Sequence, residues 1–214
     1  MDRWYRLGSY LASALILLVI GAALRPLIVP GHPAAAPILT ATEIGFAQDM
    51  TAHHEQALLM VQRLDPGADP TVLRLSQQID QTQRTEIGIL LGWLRLANAS
   101  PTDDHPMAWM HSMPTQPHSM GPTTLATSPN TMPGMASQAE LDNLAAARGH
   151  DASVLFLQLM YRHHVGGVAM ARAADRQLTS GAVKEQARAM ITEQSEEVGL
   201  ILALLDRMGA APLP

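Results

Sequence analysis

The sequence predicts an all-α protein: a four-helix bundle built from two copies of one helical hairpin, behind an apolar N-terminal helix. Three observations carry this. Apolar residues recur at helical spacing between capping signals through residues 40–97 and 137–208. The two stretches repeat each other. At an offset of 110, Phe46, Gln48, Met50, His53, His54 and Met60 match Phe156, Gln158, Met160, His163, His164 and Met170, six identities in 15 positions. At an offset of 111, Gln83, Glu86 and Gly88 match Gln194, Glu197 and Gly199. Finally, residues 7–24 run uncharged between Arg3, Arg6 and Arg25.

The N-terminal stretch is long enough to span a bilayer, and it also satisfies much of the pattern of a secretory signal, with Ala34-Ala35-Ala36 as a small-residue site. Pro37 directly after that site favours an uncleaved anchor with the rest of the chain outside the cytoplasm; cleavage would make the protein secreted. Residues 1–36 are therefore read as anchor or signal, 37–208 as the bundle and 209–214 as a tail. The exported part carries a charge of −7, against −5 for the whole chain. That suits cations better than anions.

Thr40-Ala41-Thr42-Glu43 is a capping box that opens a helix to Leu64, followed by the turn Asp65-Pro66-Gly67. Asp69-Pro70 supplies an N-cap and a first-turn proline for a helix to about Ala97. A short turn between two long helices makes an antiparallel hairpin, residues 40–97. Residues 98–136 hold seven of the 15 prolines and no Lys or Arg, a composition that predicts a linker with no packed element. Ser137-Gln138-Ala139-Glu140 is a second capping box, opening a short helix to about Ala147. Asp151 begins a long helix to Gln177, Ser180 starts the last, and Gly209 closes it, completing hairpin two, 137–208.

Helical projection places His53 in the apolar stripe with Phe46, Met50, Ala57, Met60 and Leu64, and His54 at its edge. His163 and His164 repeat this among Phe156, Met160 and Met170. Gln83 and Gln194 stand mid-stripe on the partner helices, with Glu86 and Glu197 one turn on. Buried polar groups need partners, so their repetition asks for a reason. Either they form a hydrogen-bonded polar layer that fixes register, or His and Met ligate a metal while Gln and Glu orient the rings. The linker adds Met107, Met110, His111, Met113, His118 and Met120, soft ligands on a tether with no core to join; Met132 and Met135 follow.

The chain has 13 Met, 9 His and no Cys, which excludes disulfides, thiolate metal sites and thiol catalysis. Thioether with imidazole selects copper, Cu(I) before Cu(II). With 14 Lys+Arg spread thinly, no basic stripe points to nucleic acid. No Glu-x-x-His occurs, against a di-iron site, and no zincin or nucleophile-elbow motif is present. The expectation is a non-catalytic metal-binding protein, with membrane contact through the first helix and homo-oligomerisation left open.

The motif Phe-x-x-x-Met-x-x-His-His, followed about 30 residues later by Gln-x-x-Glu and occurring twice, resembles the domain-of-unknown-function family 305. The resemblance covers residues 43–97 and 137–208. It implies a ferritin-like bundle and a kinship with extracytoplasmic copper-binding CopM-like proteins, hence copper buffering, handover or tolerance. The competing readings are an envelope interaction module with internal polar layers and, third, a ferritin-like oxidase. The copies diverge after the His pair: Glu55-Gln56-Ala57 against Val165-Gly166-Gly167.

Overall fold

The computed structural model describes residues 2–28, 37–111 and 132–213, with the backbone alone for residues 2, 25–28 and 111. All regular structure among them is helical. Helix α1, Asp2–Ile28, belongs to a unit of its own, Met1–Pro37, separate from Ile38–Pro214. Its span Arg3–Leu24 is long and apolar enough to cross a membrane, and its large side chains from Trp4 to Leu24 are exposed. That is the property of a signal or an anchor alike.

The second unit contains α2 (Ala41–Arg63), α3 (Pro70–Leu96), a 3-10 turn (Ala108–His111), α4 (Gln138–Ala146), α5 (Gly149–Gln177) and α6 (Ala182–Arg207). Both capping boxes form: Thr40 Oγ1 accepts from Glu43 N while Glu43 accepts from Thr40 N, and Ser137 with Glu140 does the same. Asp69 caps α3 by accepting from Thr71 N at 2.7 Å. Helix α5 begins at Gly149, earlier than Asp151, and carries no cap of its own. The α2–α3 turn supplies one instead, with Asp65 Oδ2 accepting from Gly149 N at 2.8 Å.

Helices α2 with α3 and α5 with α6 form the two hairpins, and α2 packs on α5 to join them. The interior divides into two apolar clusters. Met60 and Met160 lie in one with Phe156 and Ile79, and Met50 and Met170 in the other with Phe46 and Met190. Since Met50 shares a cluster with Met170, and Met60 with Met160, α2 and α5 run antiparallel. The His pairs fall between the clusters. Phe46 and Phe156, equivalent by the repeat, are both fully buried; truncating either to Ala would cost about 3–5 kcal/mol.

The linker departs from expectation over its described beginning. Met107 and Trp109 are buried in the Met50 cluster, so this part does have a core to join. The cause is Asp49, whose Oδ2 accepts both Met107 N and Trp109 Nε1 at 2.7 Å. Burial pushes this carboxyl up from its ordinary value despite the two bonds. The Trp109 ring meets Phe46 edge-on at 5.6 Å and lies over Gly45, where a Cβ would crowd it. Met107 is held at φ +68, a left-handed conformation that costs a non-glycine residue about 1 kcal/mol or more.

Glu140 joins the second capping box to α5, since its Oε2 also accepts from Arg162 Nη2 at 2.8 Å. That bond is the main reason its pKa falls from 4.5 to about 2. A depressed carboxylate stabilises the fold above its unfolded pKa and loses that contribution as pH falls through the folded one. Glu140→Gln should therefore cost about 1 kcal/mol at pH 7 by urea denaturation. The gap to wild type should close between about pH 4.5 and about pH 2; a gap independent of pH would contradict this.

Candidate metal centre

Four imidazoles form a row across the middle of the bundle. His53 and His163, from facing helices, stack with centroids 3.8 Å apart and planes at 31°. His54 lies 6.4 Å from His53, and His164 lies 6.1 Å from His163. All four are fully buried. His54 and His164, inward-facing at the stripe edge, are covered because α3 and α6 close over that edge. His54 Nε2–H donates to Glu86 Oε2 at 2.7 Å, and His164 Nε2–H to Glu197 Oε2 at 2.6 Å. Both carboxylates are themselves buried.

The inner pair uses backbone acceptors. His163 Nε2–H donates to the His53 carbonyl at 2.9 Å, and His53 Nε2–H to the Pro133 carbonyl at 3.1 Å. Burial, with the neighbouring imidazole charges next, lowers His53 from 6.5 to about 3 and holds His163 well below its ordinary value. These two rings are neutral at pH 7. A carbonyl or carboxylate can only accept, so each ring carries its hydrogen on Nε2, and in the neutral inner pair Nδ1 is a bare lone pair.

All four Nδ1 atoms are buried and without a hydrogen-bond partner, as are both amide atoms of Gln83 and of Gln194. Eight of the nine such atoms among the described residues thus lie in this one layer; the ninth is Arg162 Nε. Gln194 reaches over Gly167, where a Cβ would overlap its Oε1, so the glycine makes room for the amide. Glu86 Oε1 is also held, by Gln186 Nε2 at 3.1 Å.

Of the residues singled out in the sequence, the fold brings His53, His54, His163, His164, Gln83, Glu86, Gln194 and Glu197 together. Met50, Met60, Met160 and Met170 are fully buried on either side of them. Met107 packs in the core at the Met50 end and Met110 is partly buried against it. Met113, His118, Met120 and the His111 side chain lie outside the described residues. Sequence reasoning missed Asp49, Gln56, Pro133 and Gly166. Asp49 and Pro133 would need their hydrogen-bond partners seen in three dimensions; Gln56 and Gly166 were marked only by the divergence of the copies after the His pair.

The donor set fits a soft or borderline metal: unprotonated imidazole nitrogens, oriented from behind by carboxylates and carbonyls, with thioethers on both flanks. Among the described residues no group of three or more His, Asp or Glu side chains is placed to hold a metal ion, so an ion here would be met by fewer imidazoles.

A bundle of two hairpins with a row of buried His is a recognisable class of all-helical protein. The chain belongs to the family described as Domain of unknown function (DUF305), whose profile matches residues 43–205. Among solved structures it is similar to a DUF305 protein from Streptomyces coelicolor, described as inferred to be secreted. That match has 35% identity and a TM-score of 0.70, covering 81% of this chain and 97% of that one. A DUF305 fragment from Deinococcus radiodurans matches at 27% identity and TM-score 0.62, covering 78% and 97%. CopM in its Cu(I)-bound form matches at 21% identity and TM-score 0.55, covering 78% and 98%, a likeness of fold. No curated protein matches the sequence.

The His–Glu bonds can be tested without metal. His54→Leu strands Glu86 and should cost about 3 kcal/mol, whereas His54→Leu with Glu86→Leu should recover most of the loss. Urea denaturation of the metal-free protein reads both. Additive losses in the double variant would show that the two side chains are not coupled.

Proposed function

We propose that this protein binds copper outside the cytoplasm and acts in its buffering, handover or tolerance, with the His layer as store. One observation carries the reading: eight buried polar atoms without partners, gathered in one layer between two apolar clusters. A layer kept only for register would be expected to bond its amides, since an unpaired buried polar group costs about 1–3 kcal/mol. Imidazole Nδ1 with nearby thioethers favours Cu(I) over hard cations, with Cu(II) as a second state. Support also comes from the fold shared with CopM, which has been solved with Cu(I) and with Cu(II).

The same reading assigns His53, His54, His163 and His164 as ligands with Met50, Met60, Met160 and Met170 as soft co-ligands. It makes Gln83, Glu86, Gln194 and Glu197 the groups that orient the rings. Residues 1–36 serve as anchor or signal, in keeping with the apolar α1 and the Streptomyces relative. The linker, 98–136, would capture metal through Met110, His111, Met113, His118 and Met120, while Met107 stays in the core. Residues 209–214 are a tail.

Native mass spectrometry of the full chain, released from detergent, should show Cu(I) retained in preference to Zn(II). Saturating Cu(I) at 100 times its dissociation constant should stabilise the fold by about 2.7 kcal/mol. His53→Leu/His163→Leu should stay folded and lose that gain. Equal stabilisation in the double variant, or none in wild type, would overturn the reading.

A further inference from the structure

The two copies diverge at a place that a duplicated site would keep. Position 56 is Gln and its counterpart, position 166, is Gly, yet both hold the same short strap of chain, residues 132–136. Gln56 grips Ala136 twice: its Nε2 donates to the Ala136 carbonyl at 2.9 Å and its Oε1 accepts from Ala136 N at 2.6 Å. Gly166 passes beneath Pro133, so close that a Cβ would overlap the Pro133 carbonyl and stand 2.9 Å from Gly134 N. Gly134, at φ +80, in turn lies against the Arg162 carbonyl, and a Cβ there would meet His163 Cα at 3.0 Å. Only glycine combines that backbone conformation with that approach.

What this seating delivers to the His layer is a single hydrogen bond, from His53 Nε2–H to the Pro133 carbonyl at 3.1 Å. The corresponding bond of His163 goes to the His53 carbonyl, which is part of helix α2 and cannot leave without breaking it. One imidazole of the stacked pair is therefore oriented by a fixed helix and the other by a strap. The strap also carries Met132 and Met135, both partly buried, immediately on either side of Pro133-Gly134. Met132 packs against the cluster that contains Met50 and Met170. Lifting the strap releases the His53 ring and moves two thioethers together.

We propose that Gln56 and Gly166 are positioning residues that set the His53 hydrogen on Nε2 by seating Pro133, which makes His53 the exchanging ligand and His163 the fixed one. The exchange role rests on the reading of the His layer as a copper site; the positioning role does not. The divergence of the copies then has a use: it converts a symmetric pair of rings into one anchor and one hinged partner. Metal exchange can proceed by movement of five residues without opening the helices.

The test uses the full chain in detergent micelles, as Gly166→Ala, Gln56→Ala and Gly88→Ala. The last is a control, since nothing lies within 4 Å of a Cβ added at Gly88. Long-range ¹H–¹⁵N spectra of the metal-free protein at pH 7 read which ring nitrogen carries hydrogen. His53 should be a single Nε2–H form in wild type and control and a mixture of forms in both strap variants, with His163 unchanged throughout. Gln56→Ala introduces no clash, so it answers the question even if Gly166→Ala fails to fold. Transfer of Cu(I) to bathocuproine disulfonate should speed up roughly tenfold in the strap variants at unchanged stoichiometry, the effect of losing one or two hydrogen bonds. A single Nε2–H form of His53 in both variants overturns the positioning role. Altered His53 spectra with wild-type transfer rates overturn the exchange role. A wild type that binds no Cu(I) overturns the copper reading and the exchange role with it, while the spectra still decide the positioning.

Discussion

Four imidazoles, two carboxylates and two primary amides are buried together between the two apolar clusters of the bundle, and the rest of the architecture accommodates them. Each ring needs an acceptor behind it, and each helix contributes in kind. The hairpin partner gives Glu86 to His54 and Glu197 to His164, the facing helix gives the His53 carbonyl to His163, and the chain between the hairpins gives the Pro133 carbonyl to His53. Removing an acceptor from such a layer leaves a desolvated donor with no replacement, at a cost of about 1–3 kcal/mol each. The apolar clusters on both sides exclude the water that would otherwise serve.

Much of this was legible in sequence because a duplication supplies its own control. A single His-His pair in a helix says little; the same pair twice, each with Met at matching positions and Gln-x-x-Glu on the next helix, states which helices pair and which faces turn inward. Local chemistry set the boundaries, as both capping boxes and the Asp69-Pro70 start are found in place. Other features were out of reach because they depend on contacts distant in sequence. Asp49 reads as an ordinary helix carboxylate until Met107 and Trp109 are seen to bond it from 58 and 60 residues away. Composition alone made the linker look unpacked. Projection of one helix turns His54 inward at the stripe edge, but the cover that α3 gives it is a contact between helices.

The two halves are equivalent in their stacked rings and His–Glu bonds and unequal in how the linker meets them. Gln56 and Gly166 occupy equivalent positions with different residues, and each contacts residues 133–136 in its own way. Both apolar clusters are shared between the hairpins, so the stretch at residues 132–136 meets a His layer that the two halves build together. The proposed copper reading draws further support from the acidic balance of residues 37–214 and the absence of cysteine, which leave imidazole and thioether as the soft donors.

In the proposed copper site the ligating atoms are the Nδ1 nitrogens of the buried row. X-ray absorption at the copper edge, on the full chain loaded with one equivalent of Cu(I), reads the atoms around the metal directly. Imidazole nitrogen should stand in the first coordination shell of the wild type and be lost or diminished in His53→Leu/His163→Leu. A sulfur-only shell, identical in wild type and double variant, would place the metal on methionines elsewhere and rule out the His layer as the site.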